Sequence, residues 1–317
     1  MKVYLLAEGG KKIGFGHVTR CIAIYQALEE IGLRPEFLIN GDDSLRFALQ
    51  GKRHRTFNWL NEKEKTFSLL AGSDIAIIDS YLAGPAFYRK MSKVVKAPVY
   101  IDDNRRLEYP RGLVINGLVY ADALKYPRNR RNNYLLGPRY IPLRKEFWRV
   151  KSPVLRRSLK KVVISFGGMD RFSLIRDLER DLKDKFDFQV TVINTTKKRV
   201  SASKMQQLML SNDLFISGGG QTTYELARCG IPAIGICFTR NQLRNVQTWG
   251  RKGSLKYVGW YYNPRILKII EDTLRQLDYR RCLKMSVAGR KLVDGQGARR
   301  VVREILAYSR KQDRYNG

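Results

Sequence analysis

Short apolar runs alternate along the chain with longer segments in which apolar residues recur at helical spacing. The first run, residues 3–7, is short and β-prone and predicts a buried strand. From Val18 the apolar positions recur every three or four residues as far as Ile31, and Gly32 is a natural stop, so a helix is expected next. Further strand-like runs in the first half cover residues 36–39, 74–78, 98–101 and 113–115. Strands alternating with helices predict βαβ units and a parallel sheet, the α/β class.

This alternation breaks between about residues 138 and 153, where prolines and mixed charge leave no clear period. The break predicts a linker between an N-terminal domain, 1–148, and a C-terminal domain, 152–317. Strands are expected in the second half at 162–166, 189–193, 214–216 and 233–236, and helices at 266–277, 282–292 and 298–309. The last helix is expected to pack back on the first domain, with 311–317 frayed. Two such halves predict a cleft, where ligands often bind.

The turn between the first strand and the first helix carries Gly14, Gly16 and His17. Ligands of α/β sheets bind at the carboxyl ends of the strands, glycines let the backbone approach them, and a helix N-terminus favours an anion. His17 is one of only two histidines. Because a helix N-terminus disfavours an imidazolium, a neutral imidazole here is placed to be a general base. A histidine that merely caps the helix or binds phosphate is the alternative.

A second glycine turn follows residues 214–216 and opens a predicted helix that ends at Cys229, with Gly230 as its C-cap. Its glycines free the backbone to wrap a diphosphate, and the following amides and threonine hydroxyls add donors. The residues concerned are Gly219, Gly220, Gln221, Thr222 and Thr223. Glu225 lies where a carboxylate can bind both hydroxyls of a ribose, or where it interacts with the helix dipole. The glycine turn at Gly168 is, by itself, typical of any βα connection.

Composition agrees with a two-domain protein, since 317 residues with 44% hydrophobic content can form two cores. No apolar run approaches the roughly 18–20 residues that span a bilayer, and the chain enters a strand without a signal-peptide pattern. The four cysteines show no C-x-x-C pairing, so we expect them reduced and buried in a cytoplasmic protein. Without an Asp-x-Asp motif or a His/Cys cluster, no metal or other cofactor is expected.

The charge is strongly basic, with 60 Lys and Arg against 29 Asp and Glu, a net charge of +31. Clusters occur at 52–55, 128–131, 156–161 and 299–303. This charge indicates an anionic partner without specifying it. A solvated basic surface, attraction of acidic substrates, and association with an anionic membrane or another polyanion all remain open. A basic nucleic-acid-binding protein is a further alternative, but no nucleic-acid-binding fold or zinc-finger spacing accompanies the clusters.

The ordered set of motifs resembles a known enzyme family. Gly-Gly-Gly-x-Thr-Thr-x-Glu at 218–225, Gly-Ile-Pro at 230–232, then Asn241, Gln242 and Asn245, resemble the nucleotide-binding domain of GT-B enzymes related to the family 28 glycosyltransferases. The motif Gly-x-Gly-His-x-x-Arg ending at Arg20, Tyr-Ile-Asp-Asp ending at Asp103, and the motifs at 136–140 and 165–170 narrow the resemblance. Together they resemble PseG-type UDP-sugar hydrolases of pseudaminic acid biosynthesis and spore-coat polysaccharide proteins. The chain has Leu6-Ala7-Glu8 where that family usually has Arg-Ala-Asp.

The resemblance implies a GT-B fold, with two Rossmann-like domains facing across a cleft and UDP held by the C-terminal one. Gly219 to Thr223 would contact the phosphates, Glu225 the ribose, and Asn241 the sugar or a water. Other implied substrate contacts are Gly14, Gly16, Arg20, Asp103, Gly168 and Gln242. His17 would activate a water that attacks C1 of a UDP-linked, 2,4-diacetamido-trideoxy-type sugar, releasing UDP with inversion. An inverting glycosyltransferase, in which His17 deprotonates an acceptor hydroxyl, is the alternative.

Overall fold

The computed structural model describes residues 1–127, 132–167, 171–193 and 200–316. The chain divides into two compact units: unit 1 comprises Met1–Lys145 and Gln296–Gly317, and unit 2 comprises Glu146–Gly295. The division falls within the proline-containing stretch, and the final helix belongs to unit 1. The glycine at 168 and the basic cluster 128–131 lie outside the described residues.

Unit 1 is built on a parallel sheet covered by helices. Its strands are β1 (Val3–Gly9), β2 (Glu36–Gly41), β3 (His54–Thr56), β4 (Ile75–Asp79), β5 (Ala97–Ile101), β6 (Gly112–Asn116) and β7 (Asn132–Leu136), in the order β3-β2-β1-β4-β5-β6-β7. Its helices are α1 (Gly16–Glu30), α2 (Arg46–Leu49), α3 (Lys63–Leu70), α4 (Pro85–Val94) and, after unit 2, α11 (Gly297–Asn316). Every residue of β1, β4, β5 and β6 is buried, as expected for strands covered on both faces.

The order of these strands creates a switch point at the middle of the sheet. The chain proceeds from β1 to β2 and β3 on one side, then returns to form β4 on the other side of β1. Ala7 of β1 lies opposite Asp79, the last residue of β4. The loops that follow β1 and β4 therefore diverge from one edge, which is where open α/β sheets bind ligands.

Unit 2 contains a second parallel sheet. Its strands are β8 (Lys161–Ser165), β9 (Gln189–Ile193), β10 (Leu214–Gly218), β11 (Ala233–Cys237) and β12 (Lys256–Trp260), in the order β12-β11-β10-β8-β9. Its helices are α5 (Phe172–Phe186), α6 (Ala202–Ser211), α7 (Thr222–Cys229), α8 (Arg240–Arg251), α9 (Ile266–Gln276) and α10 (Tyr279–Leu292). Here the switch point lies between β8 and β10, so the glycine turn after β10 occupies the ligand-binding edge.

The α/β class and the alternation of strands and helices are confirmed, but the C-terminal boundaries differ. Helix α11 extends to Asn316, beyond the expected end at residue 309, and the fraying of 311–317 stays a prediction. Its last turns are held by Arg111, which donates to Gln312 Oε1 at 2.9 Å, and by the ion pair between Lys96 and Asp313. Helix α10 begins three residues earlier than expected, because Asp278 caps it by accepting from the amide of Arg281 at 2.7 Å.

The four cysteines are buried and unpaired, as the sequence predicts. Among the residues that the structure describes, no helix has the length and apolar character needed to cross a bilayer.

Candidate functional site

The loop after β1 presents His17 at the switch point of unit 1. Two hydrogen bonds join the ends of the loop. The amide of Gly10 donates to the carbonyl of Gly14 at 3.0 Å, and the amide of Gly14 donates to the carbonyl of Gly10 at 2.8 Å. Gly14 has a φ of +92°, a conformation that favours glycine. Helix α1 then begins at Gly16, beside open space, and the next residue is His17.

His17 and Asp79 form a buried pair. His17 Nδ1 lies 2.5 Å from Asp79 Oδ1, and His17 is only 7% exposed. Because a carboxylate accepts, Nδ1 carries the shared hydrogen, and Nε2 remains as the nitrogen that can take up a proton. In this arrangement the carboxylate orients the ring and stabilises the imidazolium once it forms. Sequence reasoning missed Asp79. The available signal was an acidic residue directly after the strand-like run 74–78.

Charge and burial compete in setting the pKa values of this pair. Burial alone lowers the pKa of His17, but the charge and hydrogen bond of Asp79 outweigh it, so the pKa is raised above its ordinary value. Burial alone raises the pKa of Asp79, but Arg20 and His17 hold it below its usual range. The helix N-terminus was expected to disfavour the imidazolium. That expectation fails because Asp79 supplies a stronger, opposite effect.

Arg20 connects this pair to a second carboxylate. It lies one turn after His17 on α1. Its guanidinium donates two hydrogen bonds to Asp79, from Nε to Oδ2 and from Nη2 to Oδ1, both at 2.8 Å. Its third nitrogen, Nη1, donates to Asp103 Oδ1 at 2.5 Å. The structure thus brings together three residues that the sequence selected, His17, Arg20 and Asp103. Each of the three guanidinium nitrogens thus donates to a carboxylate.

Tyr81 completes the cluster, and sequence reasoning missed it as well. Its hydroxyl donates to Asp103 Oδ2 at 2.5 Å, and its ring meets the ring of His17 edge-on, with centroids 4.6 Å apart. Tyr81 is 39% exposed and therefore contacts solvent far more than His17 does. Burial and the neighbouring Asp103 raise the pKa of the Tyr81 hydroxyl, which therefore stays protonated at neutral pH.

Glu8 fixes the turn that carries Tyr81. The carboxylate is completely buried, and Oε1 accepts from the amides of Tyr81 at 2.6 Å and Leu82 at 3.1 Å. Its other oxygen accepts from the hydroxyl of Ser80 at 2.6 Å. Glu8 is one of two residues, with Leu6, that depart from the Arg-Ala-Asp pattern, and at position 8 a carboxylate is still present to hold the turn.

A second candidate site lies at the end of β10 in unit 2. A Cβ added at Gly219 would lie 2.6 Å from Val246, so α8 packs directly on this glycine, whereas the same position at Gly220 is open. Gln242 Oε1 accepts from the amide of Gly219 at 3.2 Å, and Asn245 Nδ2 donates to the Gly219 carbonyl at 2.8 Å. Gln242, expected to contact substrate, thus also shapes the turn.

The start of α7 supplies the remaining residues selected from the sequence. The hydroxyl of Thr223 donates to the carbonyl of Gly220 at 2.8 Å, so one of its bonds stabilises the turn. Gln221 and Thr222 are half-buried beside it, and Glu225 is buried in the first turn. Asn241 is exposed and accepts from the hydroxyl of Thr239 at 2.5 Å. The predicted end of this helix is confirmed, with Gly230 at a φ of +70°.

Curated proteins with similar sequences agree with the motif resemblance. An uncharacterized protein of Methanocaldococcus jannaschii is 25% identical over 74% of this chain and 55% of its own length. A Helicobacter pylori protein, named pseudaminic acid cytidylyltransferase and UDP-2,4-diacetamido-2,4,6-trideoxy-β-L-altropyranose hydrolase, is 23% identical over 77% of this chain and 46% of its own. The spore coat polysaccharide biosynthesis protein SpsG of Bacillus subtilis is 24% identical over 95% of this chain and 96% of its own length. No family model matches the chain.

The chain therefore spans about half the length of the first two relatives and nearly all of the third. Among solved structures, the glycosyltransferase of kitacinnamycin matches with a TM-score of 0.67 and 12% identity, covering 97% of this chain and 98% of its own. Spinosyn rhamnosyltransferase SpnG, complexed with thymidine diphosphate, matches with a TM-score of 0.55 and 14% identity, and the match covers 96% of this chain and 100% of that protein. These likenesses confirm the expected GT-B fold.

Proposed function

We propose that this protein hydrolyses a UDP-linked sugar at its anomeric carbon and releases UDP and the free sugar with inverted configuration. The observation that supports this most is the buried pair of His17 and Asp79, which leaves Nε2 of the ring as a base. The Helicobacter pylori relative, whose name includes the hydrolysis of such a UDP-sugar, motivates the substrate class.

In the proposed reaction, His17 Nε2 takes a proton from a water molecule as the water oxygen bonds to C1 of the sugar. The bond between C1 and the diphosphate oxygen breaks on the opposite face, and its electron pair leaves with UDP. Asp79 stabilises the imidazolium that forms, and the proton is later returned to solvent. A diphosphate is a stabilised leaving group, so a protonating acid is less necessary than in ordinary glycosidases.

The glycine turn of unit 2 is the proposed UDP site. The open side of Gly220 and the N-terminus of α7 would face the phosphates, and Glu225 would accept hydrogen bonds from the ribose. Gln242 and Asn245 would contribute mainly by fixing the backbone of Gly219. The proposed roles of Asn241 in positioning the sugar or water, and of Gly168 in binding substrate, rest on the motif resemblance alone.

Transfer to an acceptor hydroxyl is the second candidate, because the solved structures with this fold include glycosyltransferases. The burial of His17 favours water instead. A ring that is 7% exposed, with Tyr81 against its edge, is reached more readily by a single water than by the hydroxyl of a bulky acceptor. Hydrolysis is therefore preferred.

A panel of UDP-sugars, incubated without acceptor and followed by NMR, tests the proposal. We expect UDP and free sugar from at least one 2,4-diacetamido-trideoxy donor, with the inverted anomer appearing first. In ¹⁸O-labelled water the label should enter the sugar hydroxyl at C1 and not the phosphate, because the attack is at carbon. UDP release that requires an added acceptor would establish the transferase, and label in the phosphate would contradict the proposed His17 chemistry.

A further inference from the structure

Helix α10 of unit 2 combines a high positive charge with exposed apolar side chains. The segment 279–293 contains five Lys or Arg and no Asp or Glu. The orientation of the helix is fixed by a close approach to α7, where a Cβ at Gly289 would lie 2.9 Å from the Cα of Ala227. Cys282, Met285 and Ser286 are buried on the same side. The remaining surface of α10 therefore faces solvent in a defined orientation.

Three apolar side chains form a line on that exposed surface. Tyr279, Leu283 and Val287 are 39%, 43% and 59% exposed, and their four-residue spacing puts them on successive turns. At 3.6 residues per turn, Arg280 and Lys284 lie beside this line on the side away from the buried face. Single exposed apolar residues are ordinary, but an apolar line bordered by cations is typical of helices that lie in a membrane interface.

The segment before β8 extends this surface. Arg290, near the end of α10, donates to the carbonyl of Lys151 at 3.3 Å, so the segment and the helix adjoin. Val154 in this segment is 89% exposed, and Arg157 is exposed nearby. The acidic neighbour Asp213 is already paired, since it accepts from Arg156 at 2.7 Å and from two backbone amides. The exposed Asp278 and Asp294 flank α10, but residues 151–157 and 279–293 together contain eight Lys or Arg, so the surface is basic.

We propose that this surface, α10 together with residues 151–157, docks unit 2 on an anionic lipid bilayer. Charge complementarity selects the occupant, because a net charge of +31 is attracted to acidic headgroups and opposes close approach of a second copy. The apolar line distinguishes a bilayer from nucleic acid, because a phosphate backbone would not require exposed Leu283 and Val287. The proposal goes beyond the hydrolysis of a UDP-sugar and does not depend on it.

Sedimentation with phosphatidylcholine vesicles, with and without 30% phosphatidylglycerol, tests the proposal on the full chain. We expect binding only to the anionic vesicles. The variant Arg280→Gln/Lys284→Gln should lower the partition coefficient roughly 25-fold, at about fivefold for each cation. The matched control Arg176→Gln/Arg180→Gln removes two exposed cations from α5 of the same unit and should have a much smaller effect.

The apolar line is tested separately, with the charge unchanged. Leu283→Ser/Val287→Ser should weaken vesicle binding at least about fivefold but leave heparin binding unchanged, whereas Tyr262→Ser, at another exposed apolar residue, should alter neither. Because the four native cysteines are buried, a Val287→Cys thiol can carry an environment-sensitive fluorophore, whose emission should shift to the blue on anionic vesicles. If Leu283→Ser/Val287→Ser binds the vesicles as tightly as the wild type, or if the emission of the fluorophore does not shift, the proposal is overturned and only a general attraction to polyanions is left.

Discussion

Replacing Asp79 by Asn tests the proposed chemistry most directly, because it removes one charge and almost no volume. Asp79 accepts from His17 Nδ1 on one oxygen and from Arg20 on both. An Asn amide cannot reproduce this pattern. With its oxygen toward His17, its NH₂ faces the donor Nε of Arg20. With its NH₂ toward His17, Nδ1 must accept, and the proton moves to Nε2, where the base is required.

The magnitude follows from these two arrangements. In either, Asp79→Asn removes the charge that raises the pKa of His17, while burial and Arg20, which lower it, remain. The imidazole becomes a weaker base, and we expect kcat to fall by about 10²- to 10⁴-fold. One donor of Arg20 loses its acceptor, which should reduce stability by about 1–3 kcal/mol, limited because Asp103 still pairs with Arg20.

The dependence of kcat/KM on pH shows in which direction the pKa of His17 is shifted. In the wild type, kcat/KM should fall on acidification as Nε2 protonates, with a midpoint above the ordinary pKa of histidine, about 6.5. In Asp79→Asn the midpoint should move to lower pH. The native pKa of Asp79 is lowered, so its contribution to stability is present above the unfolded pKa of about 3.9 and is lost only in stronger acid.

UDP release measured by NMR across pH, together with denaturant unfolding, checks both effects, and UDP affinity measured by calorimetry is the control. An Asp79→Asn protein with wild-type kcat and an unmoved acid limb would refute the assignment of His17 as a base oriented by this carboxylate.

Four further predictions test other parts of the proposed function. His17→Asn should lower kcat at least 100-fold with UDP affinity nearly unchanged, whereas His54→Asn, at the exposed histidine on β3, should have near-normal kinetics; loss of UDP binding would instead make His17 a phosphate ligand. Glu225→Ala should weaken UDP binding, measured by calorimetry, by about 1–3 kcal/mol, and an unchanged affinity would remove Glu225 from the site. Glu8→Gln should loosen the turn carrying Tyr81 and lower kcat more than UDP affinity, because its amide offers one acceptor oxygen instead of two; equal losses in both would point to general unfolding. Raising salt should lower kcat/KM while kcat stays nearly constant, if the basic surface steers an anionic substrate; a salt-independent kcat/KM would exclude that role.

The sequence predicts the central strands and the edge strand β9 but misses the other three edge strands, for a physical reason. β1, β4, β5 and β6 are buried along their whole length, so each contains a continuous apolar run. The three strands that the pattern missed, β3, β7 and β12, all lie at sheet edges, and β3 is exposed at every residue. An edge strand is defined by backbone pairing to its neighbour, and side-chain periodicity records that pairing only weakly.

The residues of the candidate site also fall into two groups, those that the sequence revealed and those that it did not. His17, Arg20 and Asp103 were found because each belongs to a local motif, and a motif is read along the chain. Asp79 is 62 residues from His17 and meets it only because β4 lies beside β1 in the sheet. Tyr81, in the loop after β4, reaches His17 for the same reason. Strand order depends on how the whole unit packs, so residues brought together by that order are not visible in local spacing.

The charges of the cluster explain why burying it is compatible with the proposed catalysis. Asp79 and Asp103 carry two negative charges and Arg20 one positive charge, so the buried group is left one negative charge in excess while His17 is neutral. A proton arriving at Nε2 balances that excess. The environment is therefore more favourable to the protonated ring than to the resting one, which is also why the pKa of His17 is raised. Stabilisation of this kind is realised as charge develops during the reaction, and only such stabilisation accelerates the chemical step.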